Sequence, residues 1–196
     1  MFDLGNYKLV LGSASPRRQE LMRQAGFEFE LKTIDADESF EAQWLPKDVP
    51  QMLAQRKASL LLPELKDHQV LITADTIVAT ATQILNKPAN ATAAFAMLSS
   101  LSNHTHTVYT GVCIAHCSKV FSFVDATQVS FAALTDEEIS YYIKHYTPYD
   151  KAGAYGAQDW IGLVGIEKIV GSYFNVMGLP MHLLYKNLKS FIQQLP

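Results

Sequence analysis

Lys8-Leu9-Val10-Leu11-Gly12-Ser13-Ala14-Ser15-Pro16-Arg17-Arg18 reads as a short buried strand, a turn of small residues and the first turn of a helix. Ser15 stands where an N-cap belongs, and Pro16 suits the first helical position, where its missing N–H leaves nothing unpaired. Leu21, Met22 and Ala25 supply an apolar face, and Gly26 is the expected stop. Arg17 and Arg18 break the pattern, because cations in a first turn face the positive end of the helix dipole. Two readings are open. The pair is either an ordinary solvated helix start or, beside unpaired N–H groups and two small hydroxyls that include Ser13, a seat for an anion such as phosphate.

Beyond this stretch, Phe27 to Ile34 alternates apolar and polar residues as a half-buried strand does, and the acidic loop Asp35-Ala36-Asp37-Glu38 follows. A helix is predicted from about Val49 to Leu62. Val70 to Ala79 is a nearly continuous, β-branched apolar run, the pattern of a central strand. Asn90 can cap a helix that runs to about Leu101, and His106–Ala115 and Val120–Phe131 read as two longer strands, open to antiparallel pairing. Thr135-Asp136-Glu137-Glu138 is a capping box. Asp150 to Gln158 reads as a Gly/Ala-rich loop, residues 161–170 as strand-like pieces, and Leu183, Leu184, Leu188 and Ile192 mark a final amphipathic helix. Strands alternating with helices, without repeat or linker, predict one α/β domain over residues 1–196.

Of the 196 residues, 48% are hydrophobic and 18% charged, which predicts a folded core rather than disorder. A net charge of −3 argues against a nucleic-acid or membrane-surface partner. No signal peptide or apolar run of spanning length is seen, so a cytoplasmic location is expected. Cys113 and Cys117, without Cys or His partners at zinc spacing, read as buried free thiols.

Asp75 is the sharpest anomaly, since a carboxylate inside a buried strand is costly unless paired, solvated or bound to metal. It is either a structural acid held by neighbouring N–H groups, or a group at the carboxyl end of a strand that holds a divalent metal or orients a water. Thr76 could reach a base or phosphate, or simply be a strand residue. Lys57 shares a helical face with Leu53, Leu60 and Leu61, while Arg56 points elsewhere. Such a lysine either snorkels or points its charge into an anion-binding cleft. Lys87, before Pro88, reads by itself as a solvated loop residue. His104 and His106 read as structural. Neither a Walker A loop nor a Gly-x-Gly-x-x-Gly turn is present.

In order along the chain stand Gly-Ser-Ala-Ser-Pro-Arg-Arg at 12–18, Arg-Lys-Ala at 56–58, Ala-Asp-Thr-Ile-Val at 74–78 and Lys-Pro at 87–88. Asp-Lys-Ala-Gly-Ala-Tyr-Gly-Ala-Gln at 150–158 and Gly-Ser-Tyr-Phe-Asn-Val-Met-Gly-Leu-Pro at 171–180 complete the series. Together these motifs resemble the Maf family of nucleoside triphosphate pyrophosphatases over essentially the whole chain. The resemblance implies an elongated mixed α/β sheet flanked by helices, akin to the inosine triphosphate pyrophosphatases, with two lobes and a central cleft. It implies hydrolysis of a nucleoside triphosphate to monophosphate and pyrophosphate with a divalent cation (magnesium, manganese or cobalt), by a homodimer. Ser13, Arg17 and Arg18 match its phosphate-contacting signature, Lys57 and Lys87 its cleft lysines, and Asp75 its proton acceptor. Arg18, Thr76 and Gln158 fall where the family tunes its choice of base.

Gln158 offers an amide donor beside a carbonyl acceptor, which complements the O4 and N3–H of uracil or thymine. The chain therefore looks like the subgroup acting on dTTP and UTP. A purine or 7-methyl-GTP pyrophosphatase and a non-catalytic nucleotide-binding regulator of division are the alternatives. Departures from the family pattern are Asn86 before Lys87, and Asp159-Trp160 after Gln158 where glycine is common. The acidic loop at 35–38 is either solvated or adds a metal ligand.

Overall fold

In the structure, a computed structural model describing residues 2–41, 43–117 and 119–196, the opening stretch forms β1 (Lys8–Leu11) and then α1 (Pro16–Gln24), with Ser15 at the N-cap. Gly26 ends the helix as expected: it takes φ +79°, and its N–H donates to Arg23 O at 2.8 Å. The next strand, β2 (Phe29–Leu31), is shorter than the alternation predicts, because it lies at the sheet edge with β1 alone as neighbour. Helix α2 (Val49–Leu61) precedes β3 (Gln69–Ala79), in which every residue but Thr76 is buried. After β4 (Ile84–Leu85), α3 (Ala91–Leu101) begins with Asn90 Oδ1 accepting from Ala93 N–H at 2.9 Å. Strands β5 (Thr105–His116) and β6 (Lys119–Phe131) are neighbours in the sheet. The Thr135–Glu138 capping box is fully made at the start of α4 (Asp136–Tyr146). The chain finishes with α5 (Trp160–Gly165), β7 (Ile166–Val170), α6 (Tyr173–Val176) and α7 (Met181–Ile192).

Among the described residues the strands form one seven-stranded mixed sheet in the order β2-β1-β3-β5-β6-β7, with β4 pairing β3. β1 runs parallel to both β2 and β3, while β4 pairs β3 and β7 pairs β6 antiparallel. The chain divides into two compact units, and the division falls within β3, β5 and β6. The first unit comprises Met1–Asp75, Thr110–Asp125 and Gly178–Pro196; its core includes Val10, Ala54, Ala58, Leu61, Leu71, Cys113 and Ala115. The second comprises Thr76–Tyr109 and Ala126–Met177, with Leu98, Leu101, Phe131, Ile139, Tyr142 and Ile161 in its core.

Two expectations are corrected. Residues 160–165 are helical and only 166–170 form a strand. Gly162 lets this helix close on the preceding loop: a Cβ there would stand 2.0 Å from Ala157 O. Cys113 is a buried thiol, pushed up to about 11 by burial, but Cys117 is exposed. Cys117 sits at φ +43° immediately beyond the end of β5, where the apolar run has already stopped.

Candidate active site

Two side chains that looked out of place in sequence meet because of how α2 lies along β3. Thr73 Oγ1 donates to Ala54 O at 2.6 Å, tying the strand to the helix within the first unit. Two residues on, the same strand face presents Asp75, and three residues on, the same helix face presents Lys57. Lys57 Nζ duly donates to Asp75 Oδ1 at 2.5 Å. Gly12, next to β1, permits this close layering. A Cβ at that position would stand 2.7 Å from Thr73 Cγ2 and 2.8 Å from Leu61 Cδ1. The structure holds Lys57 in an ion pair with Asp75, a fate that neither reading of the helix named: both side chains are largely buried, at 13% and 10% exposure.

A third charge joins them. Glu38, from the irregular loop before α2, accepts from Lys57 Nζ at 2.8 Å. The loop is pinned by Arg56, whose Nη1 donates to Asp37 O at 2.6 Å and Ser39 O at 2.8 Å. Asp37 itself turns away to Ser39, whose hydroxyl and N–H hold its carboxyl below the usual range. Hence Glu38, not Asp37, reaches the lysine. Sequence reasoning left the acidic loop at 35–38 open without singling out Glu38, and it missed the role of Arg56. The available signal was an acidic cluster ahead of a helix carrying adjacent Arg and Lys.

Arg18 reaches the backbone just before Asp75. Its Nη1 donates to Ala74 O at 2.8 Å and Ser13 Oγ at 3.2 Å, and its Nε donates to Gly178 O at 2.7 Å. Burial draws the pKa of this guanidinium downward, while the charges of Asp75 and Glu38 oppose the shift. Ser13 is buried, and its Oγ also accepts from Ser15 N–H at 3.3 Å, so the small-residue turn is closed by its own hydroxyl. Arg17 is half-buried on the same helix turn.

The structure thus gathers Ser13, Arg18, Lys57 and Asp75, with Glu38, in the first unit. Thr76, Lys87 and Gln158 belong to the second. There Thr76 is half-buried in β3, whereas Lys87 after β4 and Gln158 before α5 are exposed. His104 is exposed, with Nδ1 2.7 Å from Ser102 O; His106 is buried against Tyr155 and Phe131.

A gathering of two carboxylates and two cations beside a small-residue turn and a helix start is chemically suited to phosphate and water. A family model described as Maf-like protein matches residues 8–191. The chain is similar to the dTTP/UTP pyrophosphatase of Parabacteroides distasonis, 48% identical over 190 residues that cover 96% of this chain and 98% of that one. It is equally similar to the dTTP/UTP pyrophosphatase of Porphyromonas gingivalis, 48% identical over 192 residues, 96% of each chain. Among solved structures, the Staphylococcus aureus Ham1 protein aligns at 11% identity with a TM-score of 0.49, covering 95% of this chain and 98% of that one.

Proposed function

This chain belongs to the Maf family, and on that premise we propose that it is a dTTP/UTP pyrophosphatase, releasing pyrophosphate and leaving the nucleoside monophosphate. The observation that carries the chemistry is the Lys57–Asp75 ion pair, with Glu38 on the same ammonium and Arg18 on the carbonyl of Ala74, the residue before Asp75. In this reading the Asp75 carboxylate orients a water toward the α-phosphorus and takes its proton as the new P–O bond forms. The bond to the bridging oxygen breaks, and the electron pair leaves with pyrophosphate. Arg17, Arg18, Lys57 and Lys87 neutralise charge on the triphosphate and on that leaving group, since phosphoryl transfer depends chiefly on positioning and electrostatics. Ser13 and the turn that it closes contact phosphate. Thr76 and Gln158 face the nucleobase, Gln158 pairing with the O4 acceptor and N3–H donor of uracil or thymine.

A divalent cation fits the residues present. Asp75 and Glu38 both reach one ammonium, so their carboxylates lie within a few ångströms of each other. Among the described residues no third His, Cys, Asp or Glu joins them. Magnesium characteristically takes one or two carboxylates and completes its shell from phosphate and water. Asp75 and Glu38 would hold it, and when bound it supplies positive charge to the phosphate oxygens. The whole chain, as a single domain, is taken to act as a cytoplasmic homodimer, which sedimentation velocity would test.

The reading is tested by pyrophosphate release from UTP, dTTP, CTP, GTP, 7-methyl-GTP and ITP with magnesium, manganese or cobalt. UTP and dTTP are expected to lead. In ¹⁸O-water the label should enter the monophosphate. Label in the pyrophosphate would overturn attack at the α-phosphorus, and purine preference would overturn the role given to Gln158.

A further inference from the structure

Gln158 is exposed between two residues that are not: Ala157 is buried, and Asp159 is half-buried with its side chain turned back into the second unit. Asp159 stands at the N-cap position of α5, with φ −83° and ψ 175°. A carboxylate there ordinarily accepts from the first-turn N–H groups, yet among the described residues this one makes no capping bond. Its Oδ2 instead accepts from the Tyr142 hydroxyl at 2.7 Å. The same phenolic oxygen accepts from Gly156 N–H at 3.1 Å. Asp159 N–H in turn donates to Gly156 O at 3.0 Å, closing a four-residue turn with Gln158 in its third position.

One hydroxyl therefore grips both ends of the turn that carries Gln158. Only glycine allows it at position 156, where a Cβ would stand 2.5 Å from Asp159 Oδ2. The grip is anchored in α4, because Tyr142 is fully buried. Burial and the neighbouring Asp159 push the phenol's pKa upward, so it keeps the proton that it donates. Lys151 Nζ, 3.8 Å from Asp159 Oδ2, balances the carboxylate. The next residue repeats the attachment: the Trp160 ring packs on Tyr141, also of α4, with centroids 4.9 Å apart. Asp159 and Trp160, two of the three residues that depart from the family pattern, thus fasten to consecutive tyrosines of one helix.

We propose that Tyr142 and Asp159 are positioning residues that hold the Gly156–Asp159 turn so that the Gln158 amide meets the pyrimidine in one orientation; the inference rests on the base-reading role proposed for Gln158. The physical need is plain. A glutamine amide is donor on one side and acceptor on the other, and turning it over exchanges them. It reads a base edge only if the backbone that carries it is held.

The test is a double-mutant cycle read in kcat and KM for UTP. Gln158→Ala and Tyr142→Phe should each raise KM about tenfold with kcat within about twofold, and the double variant should be no worse than either alone. Asp159→Asn keeps an acceptor oxygen for Tyr142 and should stay near the parent, whereas Asp159→Ala should follow Tyr142→Phe. Additive effects, or a normal KM in Tyr142→Phe when Gln158→Ala raises it, would overturn the inference. An unchanged KM in Gln158→Ala would overturn the base-reading role beneath it. Should Tyr142→Phe fail to fold, the contrast between Asp159→Asn and Asp159→Ala decides: equal KM values would sink the proposal.

Discussion

Lys57, Asp75 and Glu38 in the first unit meet as ions, whereas His106 and Tyr155 in the second meet as neutral partners. Lys57 and Asp75 are largely buried while Glu38 meets them from an exposed loop, and His106 and Tyr155 are both buried. His106 is 2% exposed, its Nε2 lies 2.7 Å from the Tyr155 hydroxyl, and its ring stacks on Phe131 at 5.6 Å. Burial lowers its pKa to about 4 and raises that of Tyr155, so both remain uncharged near neutrality. His106 and Tyr155 thus stay neutral and hydrogen-bond to each other through Nε2 and the hydroxyl. Lys57 and Asp75 instead keep their charges where desolvation is costly and where an ion pair contributes little net stability. Under the function proposed above, the difference is that the ionic cluster serves chemistry and the neutral pair serves packing.

Three measurements break or sharpen that contrast. The largest effect belongs to Asp75→Asn, which should lower kcat about 10³-fold while leaving the melting temperature nearly unchanged. A variant that unfolds readily but still turns over would reverse the assignment, making the ionic cluster structural.

Next comes the pH dependence of stability. The folded His106 titrates at about 4 against 6.5 when unfolded, so folding favours the neutral ring. Its contribution is complete above pH 6.5 and is lost as pH falls toward 4, about 3 kcal/mol in all. Urea unfolding at pH 7 and pH 4 measures it. In His106→Gln the acid sensitivity should shrink by that amount, and an unchanged slope would remove His106 from the comparison.

The smallest effect is expected at Arg56, which touches none of the ions directly but pins their loop. Arg56→Ala should raise the magnesium concentration for half-maximal activity about tenfold through loss of a placed Glu38, with a normal kcat at saturating metal. A normal magnesium requirement would show that Glu38 lies outside the metal's reach.

Much of the fold was legible because its signals are local. The Gly26 stop, Asn90 cap and Thr135–Glu138 capping box each operate within a few residues and form, and the helix starts at Ser15-Pro16 although Ser15 makes no side-chain capping bond. The continuous apolar run of β3 was equally clear, because a strand covered on both faces needs no alternation. Where several neighbours compete, local reading failed. Residues 160–165 carry strand-like side chains but form a helix, and the alternation before Ile34 yields only three strand residues at the sheet edge.

The sequence by itself determined that Asp75 and Lys57 were anomalous, because burying a charge contradicts the pattern around it wherever the chain goes. It also determined the small-residue turn and the paired arginines. Only the tertiary structure decided that these two anomalies resolve each other, through the Thr73–Ala54 contact that sets helix against strand. It alone brought Glu38 from an irregular loop to Lys57, and set Tyr142 between Gly156 and Asp159. The physical reason is range. Propensity, capping and periodicity act over about four residues, whereas a buried donor takes whichever acceptor the packed chain delivers to it.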